Sequence, residues 1–226
     1  MSYSLNEVEA MAKKASRGAG YHWGIAEEAA YATRWLCAHG FDGCEALASL
    51  LPKSEHTDFA LRTPNLACPV WHSRSGRICP LLAGAALGDY AFRLQDRAIS
   101  LANVEHPIML LPFAAVVARR ICAFVTVEWD GVWTTTDGSN VSRTVIDRMI
   151  DSSTGRSLMQ EIADLVIVRI DGRIGGGLHT IVPGKSRASP SPAAWDCLNQ
   201  FAHRTYAPAT EESRRMGAGA SACDND

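Results

Sequence analysis

The dipeptide Asp130-Gly131 narrows the folds open to this chain more than any other pair of residues. It separates two runs rich in Val, Phe, Thr and Trp within Ile121 to Gly138. A two-residue type I′ turn needs positive φ at both central positions, which Asp-Gly supplies, so residues 121–138 read as a β-hairpin. Along its first arm Cys122, Phe124 and Thr126 alternate with Ala123, Val125 and Val127. Neither face is clearly polar, which places the arm inside a larger sheet. Leu165 to Ile170 reads as another strand ended by Asp171-Gly172, with Gly175-Gly176-Gly177 and Leu178 to Val182 as its return arm, a second hairpin over 165–182.

The N-terminal residues follow a different period. Ser4-Leu5-Asn6-Glu7 has the S-x-x-E form of a capping box. Val8, Met11, Ala12 and Ala15 then make one apolar helical stripe that Gly18-Ala19-Gly20 ends. A second helix runs from about Gly24 to His39, stopped by Gly40, and Asp42 starts a third that Pro52 closes after Leu51. Residues 53–77 lose all periodicity and read as a long connection of the kind that often carries function. Residues 78–94 return to a helical pattern rich in Ala and Gly, a composition that lets another element approach closely. Pro112 suits the first turn of a helix leading into the hairpin. Lys185 to Pro192 is a Ser/Pro linker, and Trp195, Leu198 and Phe201 have the spacing of a C-terminal helix. The sum is an α+β fold, an antiparallel sheet with an N-terminal helical hairpin packed on it. Residues 1–226 form a single domain, with a helical lobe at 1–52 and an α+β core at 53–226.

The 226 residues carry a formal charge of -2, which gives no basic footprint for nucleic acid and no polybasic patch for an anionic membrane. No stretch reaches the roughly 18 to 20 apolar residues of a membrane span, and the N-terminus lacks the form of a signal peptide. Seven cysteines include no C-x-x-C pair, which fits reduced thiols in the cytoplasm. Small molecules or proteins are the expected partners, with a homo-oligomer also open to the chain.

Ser4 to Ala10, Gly18-Ala19-Gly20, Trp23-Gly24, Ala26 to Ala29, and at the far end Arg204 to Arg214, Gly217 to Ala220 and Asp224-Asn225-Asp226 together resemble a bacterial family catalogued as a domain of unknown function. The resemblance covers nearly the full chain and implies a stand-alone soluble bacterial protein, with no reaction or catalytic residue to carry over. Residues 4–43 are also similar to the N-terminal helices of the malate/L-lactate dehydrogenase type. That family has a histidine where this chain has Phe41-Asp42-Gly43-Cys44, so the likeness reduces to two generic helices.

The candidate catalytic residues are Cys68, His72 and Cys79. Two Cys-Pro steps, Cys68-Pro69 and Cys79-Pro80, bracket His72, and a thiol beside an imidazole is readily deprotonated. If Ile78-Cys79-Pro80 opens a helix, the positive end of the helix also lowers the pKa of Cys79, and it is expected to alkylate faster than Cys37 or Cys197. The plainer reading keeps these cysteines as small buried hydrophobes. Arg204, Tyr206 and Arg214 near the C-terminus are candidates for holding a substrate carboxylate, or else a solvated charged face. His179 follows a glycine run able to form an anion nest. No metal is assigned, since the histidines show neither H-x-H nor H-x-x-x-H spacing, and the sequence names no cofactor. Two functions follow: a small-molecule enzyme of bacterial catabolism, using thiol-dependent acid/base or nucleophilic chemistry on a carboxylate-bearing substrate, or a non-catalytic accessory or oligomer-forming protein.

Overall fold

The structure, a computed structural model, describes residues 1–55, 57–95, 97–145, 158–173 and 184–206. The hairpin forms where the sequence places it. Strand β4 (Ala123–Trp129) turns through Asp130 at φ 41° and Gly131 at φ 79° into β5 (Val132–Thr136), with Trp129 opposite Val132. The other arm of β4 pairs with β7 (Ile162–Arg173), so β4 lies inside the sheet. Among the described residues the sheet has six strands, ordered β2 (Val70–Trp71), β3 (Ile99–Glu105), β7, β4, β5, β6 (Val141–Val145). All neighbours are antiparallel except β2 and β3, which run parallel.

One expected turn is absent. Asp171-Gly172 lies within β7, at the register shift between the Ala123–Arg173 and Val125–Ile170 pairs. Gly172 takes φ 105°, so its conformational freedom serves an irregular strand and not a reversal. The return arm expected over 174–182 lies outside the described residues.

Helix α1 (Leu5–Gly18) starts at the capping box: the Glu7 amide donates to Ser4 Oγ at 3.2 Å, and the Ser4 amide to Glu7 Oε2 at 2.7 Å. Helix α2 (Trp23–Ala38) follows, then α3 (Gly43–Ser54). Pro52 does not close α3. It sits inside the helix, where it cannot bond the Ala48 carbonyl, and that carbonyl accepts from the Cys197 thiol instead, at 3.5 Å. Asp42 holds the N-cap position of α3 without a side-chain capping bond. The 53–77 connection contains a short helix α4 (Phe59–Arg62), capped by Asp58, as well as β2.

Helix α5 (Pro80–Asp89) continues as a 3-10 turn (Ala91–Gln95). A second 3-10 turn (Pro107–Leu110) leads into α6 (Leu111–Ile121), with Pro112 in its first turn. The small residues of α5 do admit a close neighbour: a Cβ at Gly84 would come within 2.1 Å of the Phe113 ring on α6. The stretch expected to be a linker is structured. Within it β8 (Arg187–Ala188) pairs with β1 (Tyr3–Ser4), Arg187 donates to Ser2 Oγ at 2.8 Å, and Ser191 caps α7 (Pro192–His203).

The N-terminal helices pack on the helix-covered side of the sheet, and α6 is the layer lying directly against β4 and β5. Helix α7 joins α1 and α3 on the outer side. Among the described residues an apolar cluster runs from Val8 and Leu36 through Leu81 and Phe113 to Val127, Val168 and Leu198. The opposite face of the sheet is mixed: Leu165, Ile167 and Trp133 share it with a charged group in which Arg169 reaches Glu128 at 3.8 Å and Asp171 at 3.0 Å. Among the described residues no helix is long and apolar enough to cross a membrane.

Candidate functional site

The chain closes a cluster of ionisable side chains inside this core. Ile78 forms a parallel bridge with Val104, the Ile78 amide donating to Asn103 O at 2.9 Å and the Glu105 amide to Ile78 O at 3.1 Å. The bridge lays Cys79 alongside the end of β3. Asn103 at φ 51° interrupts the in-out alternation there, and both Val104 and Glu105 are buried. The Cys79 amide donates to Arg62 O at 3.2 Å, which holds α4 against the start of α5.

Five buried side chains then connect. Arg62 donates to Ser54 Oγ at 2.6 Å and, through its other terminal nitrogen, pairs with Glu105. Ser54 Oγ also contacts Leu50 O at 3.2 Å and Tyr21 Oη at 2.7 Å, and Tyr21 Oη lies 3.3 Å from Cys79 Sγ. Tyr21 packs on Phe59, ring centroids 4.4 Å apart. Either oxygen can donate across the Tyr21–Ser54 contact; with the single Ser54 proton given to Leu50 O, Tyr21 donates to Ser54 and its oxygen accepts from the Cys79 thiol. The resting chain of protons therefore runs from Cys79 through Tyr21 and Ser54 to Leu50 O.

The pKa shifts agree with a neutral thiol. Burial pushes Cys79 up, against the Arg62 charge, Tyr21 and the first-turn amides of Leu81 and Leu82, which draw it down. Burial likewise raises Tyr21 well above the ordinary phenol range. Burial opposes the Arg62 charge, but Cys79, Tyr21 and Glu105 together raise its pKa. Beside Glu105 sits His106, in a left-handed conformation (φ 41°, ψ 64°), 2% exposed, with neither ring nitrogen hydrogen-bonded among the described residues. Burial, aided by Lys53 and countered by Glu161, lowers its pKa to about 4.

The residues singled out from sequence are dispersed. Cys79 is fully buried at the N-cap of α5, so the expected position at a helix start is correct, while desolvation reverses the expected fall in pKa. His72 is exposed just after β2, and its Nδ1 lies 3.2 Å from Val70 O. Cys68 is half-buried just ahead of that strand. The structure thus separates the exposed imidazole from the buried thiol. Arg204 donates to Glu55 Oε1 at 2.6 Å and lies over the Phe201 ring, whereas Tyr206 is contacted by Lys14 from α1 at 3.4 Å. His179 and Arg214 lie outside the described residues. Among those residues no group of three potential ligands is placed to hold a metal ion.

Sequence reasoning passed over Tyr21, Ser54, Arg62 and Glu105. One signal was present: Glu105 is the only carboxylate, and no Lys or Arg occurs, between Ile99 and Ala118, a mainly apolar run. Residues 3–69 match the family described as protein of unknown function, DUF3726. That match includes Tyr21, Ser54 and Arg62 and ends before Cys79, and it corrects the nearly full-length extent of the resemblance, since Arg204 to Asp226 fall outside it. No curated protein matches the chain.

Proposed function

We propose that the chain is a small-molecule enzyme of bacterial metabolism whose thiol Cys79 performs acid/base or nucleophilic chemistry on a carboxylate-bearing substrate. The observation that carries this reading is the oriented hydrogen-bonded chain from Cys79 through Tyr21 to Ser54, with the Arg62 cation at its end. Its proton directions are reversible. If Cys79 gives up its proton, the Tyr21 hydroxyl turns to stabilise the thiolate and Ser54 donates to Tyr21, so charge on sulfur is met by a donor already in place. A substrate carboxylate would compete with Glu105 for Arg62, whose guanidinium carries five donors. Enclosing several titratable groups with shifted pKa values is costly, and such clusters concentrate at functional sites. Access to Cys79 in this reading requires α4 and the 63–77 segment to swing away from α5. Free cysteines among the described residues fit a reducing cytoplasm.

The test is a thermal-shift screen against amino acids, hydroxy acids and other small carboxylates on wild type and Cys79→Ser. A ligand at 100 times its Kd adds about 2.7 kcal/mol of stability. Stabilisation of wild type, with turnover lost in Cys79→Ser, supports the proposal. No carboxylate-dependent shift at all removes it.

A non-catalytic accessory or oligomer-forming role is favoured by a different observation: Trp23 and Phe92 are 62% and 61% exposed, large apolar side chains that another surface would cover. Sedimentation of wild type and of Trp23→Ser/Phe92→Ser separates the readings, since an oligomer through these residues dissociates in the variant.

A further inference from the structure

A second pair of thiols stands apart from the Cys79 cluster, at the corner between α2 and α3. Cys37 Sγ, in the last turn of α2, lies 3.9 Å from Cys44 Sγ, in the first turn of α3. The backbone is tight there, since a Cβ at Gly43 would come within 2.7 Å of Thr33 O and 3.3 Å of Cys37 Sγ. Both cysteines line a small pocket of about 90 Å³ whose other walls are Phe41, Asp42, Glu45 and the 185–190 segment. Two cations, Lys185 and Arg187, belong to that wall. The segment is anchored at both ends, by the Lys185 amide on Ala38 O at 2.7 Å and the Ser191 amide on Glu45 Oε1 at 2.7 Å.

We infer that Cys37 and Cys44 form a dithiol site that reduces a small hydroperoxide and closes to a disulfide. The pocket selects the oxidant by size. One water needs roughly 10–15 Å³ of such space, so this pocket admits a hydroperoxide group but not a bulky peptide disulfide. The two thiols are not equivalent. The Cys44 thiol hydrogen-bonds Cys37 and lowers its pKa against burial, whereas that same interaction and burial raise Cys44. The Gly43 and Cys44 amides at the start of α3 also face the Cys37 sulfur and have no counterpart at Cys44, so Cys37 is assigned as the attacking thiolate and Cys44 as the proton-bearing partner that resolves it.

The chemistry balances. Cys37 sulfur attacks the terminal oxygen of ROOH, the O–O bond breaks, and RO⁻ leaves and takes up a proton as ROH. Cys37 is now a sulfenic acid, its sulfur oxidised by two electrons and the peroxide reduced by two. Cys44 sulfur then attacks Cys37 sulfur and loses its proton, the S–OH bond breaks, and hydroxide leaves as water. The sum is two thiols and ROOH giving a disulfide, ROH and water. The sulfurs must close from 3.9 Å to about 2.05 Å, a movement within reach of side-chain rotation and a small shift of the 38–43 corner.

The test uses the full chain, oxidised with one equivalent of hydrogen peroxide, alkylated after unfolding and mapped as peptides without reduction. The expected product is an intramolecular Cys37–Cys44 disulfide that a reducing agent reverts, formed ahead of any oxidation at exposed Cys122. In Cys44→Ser the expected species is a Cys37 sulfenic acid trapped by dimedone, and in Cys37→Ser, Cys44 stays reduced at the same dose. The inference is overturned if wild-type Cys37 and Cys44 are both recovered as alkylated thiols while Cys122 oxidises, or if the disulfides found join other pairs. The wild-type map needs no variant to fold.

Discussion

Tyr21 Oη lies 3.3 Å from Cys79 Sγ and 2.7 Å from Ser54 Oγ, so a single phenol from the α1–α2 connection ties the end of α3 to the start of α5. Removing it leaves the thiol and the serine without their shared partner in a sealed interior. Tyr21→Phe keeps the ring against Phe59 and loses only these bonds, and it is expected to cost about 1–3 kcal/mol. Chemical denaturation of the two proteins measures this directly, and an unchanged midpoint would show that the phenol contributes nothing to the fold.

Arg62 and Glu105 are both 3% exposed at their side chains. Deleting one partner strands the other charge, and Arg62→Leu or Glu105→Leu is expected to destabilise by about 3–5 kcal/mol. The double variant Arg62→Leu/Glu105→Leu should recover a large part of that loss, because no unpaired charge remains buried. Equal losses in the double and single variants would contradict a coupled pair, and a denaturation cycle distinguishes the two.

The burial that assembles this cluster also reverses an expectation from sequence. Cys79-Pro80 correctly marks a helix start, since Pro at the first position is a local signal. That the thiol is desolvated depends on Arg62, Tyr21 and β3 arriving from distant parts of the chain, which no local spacing records. The hairpin at Asp130-Gly131 and the Ser4/Glu7 capping box were legible for the same reason that α3 was misread at its end. Turns and caps are set by a few adjacent residues, whereas Pro52 is tolerated inside α3 because Cys197, far along the chain, satisfies the freed Ala48 carbonyl. Strand β3 escaped notice because what marks it as a strand is its pairing with β7 and β2, which distant parts of the chain supply.

Labelling tests the desolvation of Cys79. In the native protein Cys122, which is exposed, is expected to react with limiting iodoacetamide well before Cys79, which labels only when α4 and the 63–77 segment open or the protein unfolds. Peptide mapping over time reads the order. Early labelling of Cys79 would place it at an open surface.

Gly84 and Gly88 on α5 should respond oppositely to alanine. A Cβ at Gly84 meets the Phe113 ring, and Gly84→Ala is expected to cost about 1–3 kcal/mol through overpacking. Nothing lies within 4 Å of a Cβ at Gly88, so Gly88→Ala is expected to stabilise by about 0.5–1 kcal/mol through a less flexible unfolded chain. Melting temperatures that move in the same direction would mean that α5 and α6 do not pack as described.

His106 gives the protein a stability that depends on pH in a defined window. Its folded-state pKa is near 4, below the 6.5 of an unperturbed histidine, because burial disfavours the imidazolium. The unfolded chain therefore binds the extra proton first as pH falls. The contribution of His106 is intact above pH 6.5 and declines as pH drops toward 4, where the folded form is protonated as well and the loss levels off. A shift of this size corresponds to about 3 kcal/mol across the window. His106→Asn removes the titrating ring while suiting the left-handed backbone at φ 41°. Denaturation midpoints measured between pH 7 and 4 should fall more steeply for wild type than for the variant. Parallel pH profiles would show that the imidazole is hydrated in solution and would withdraw it from the buried cluster.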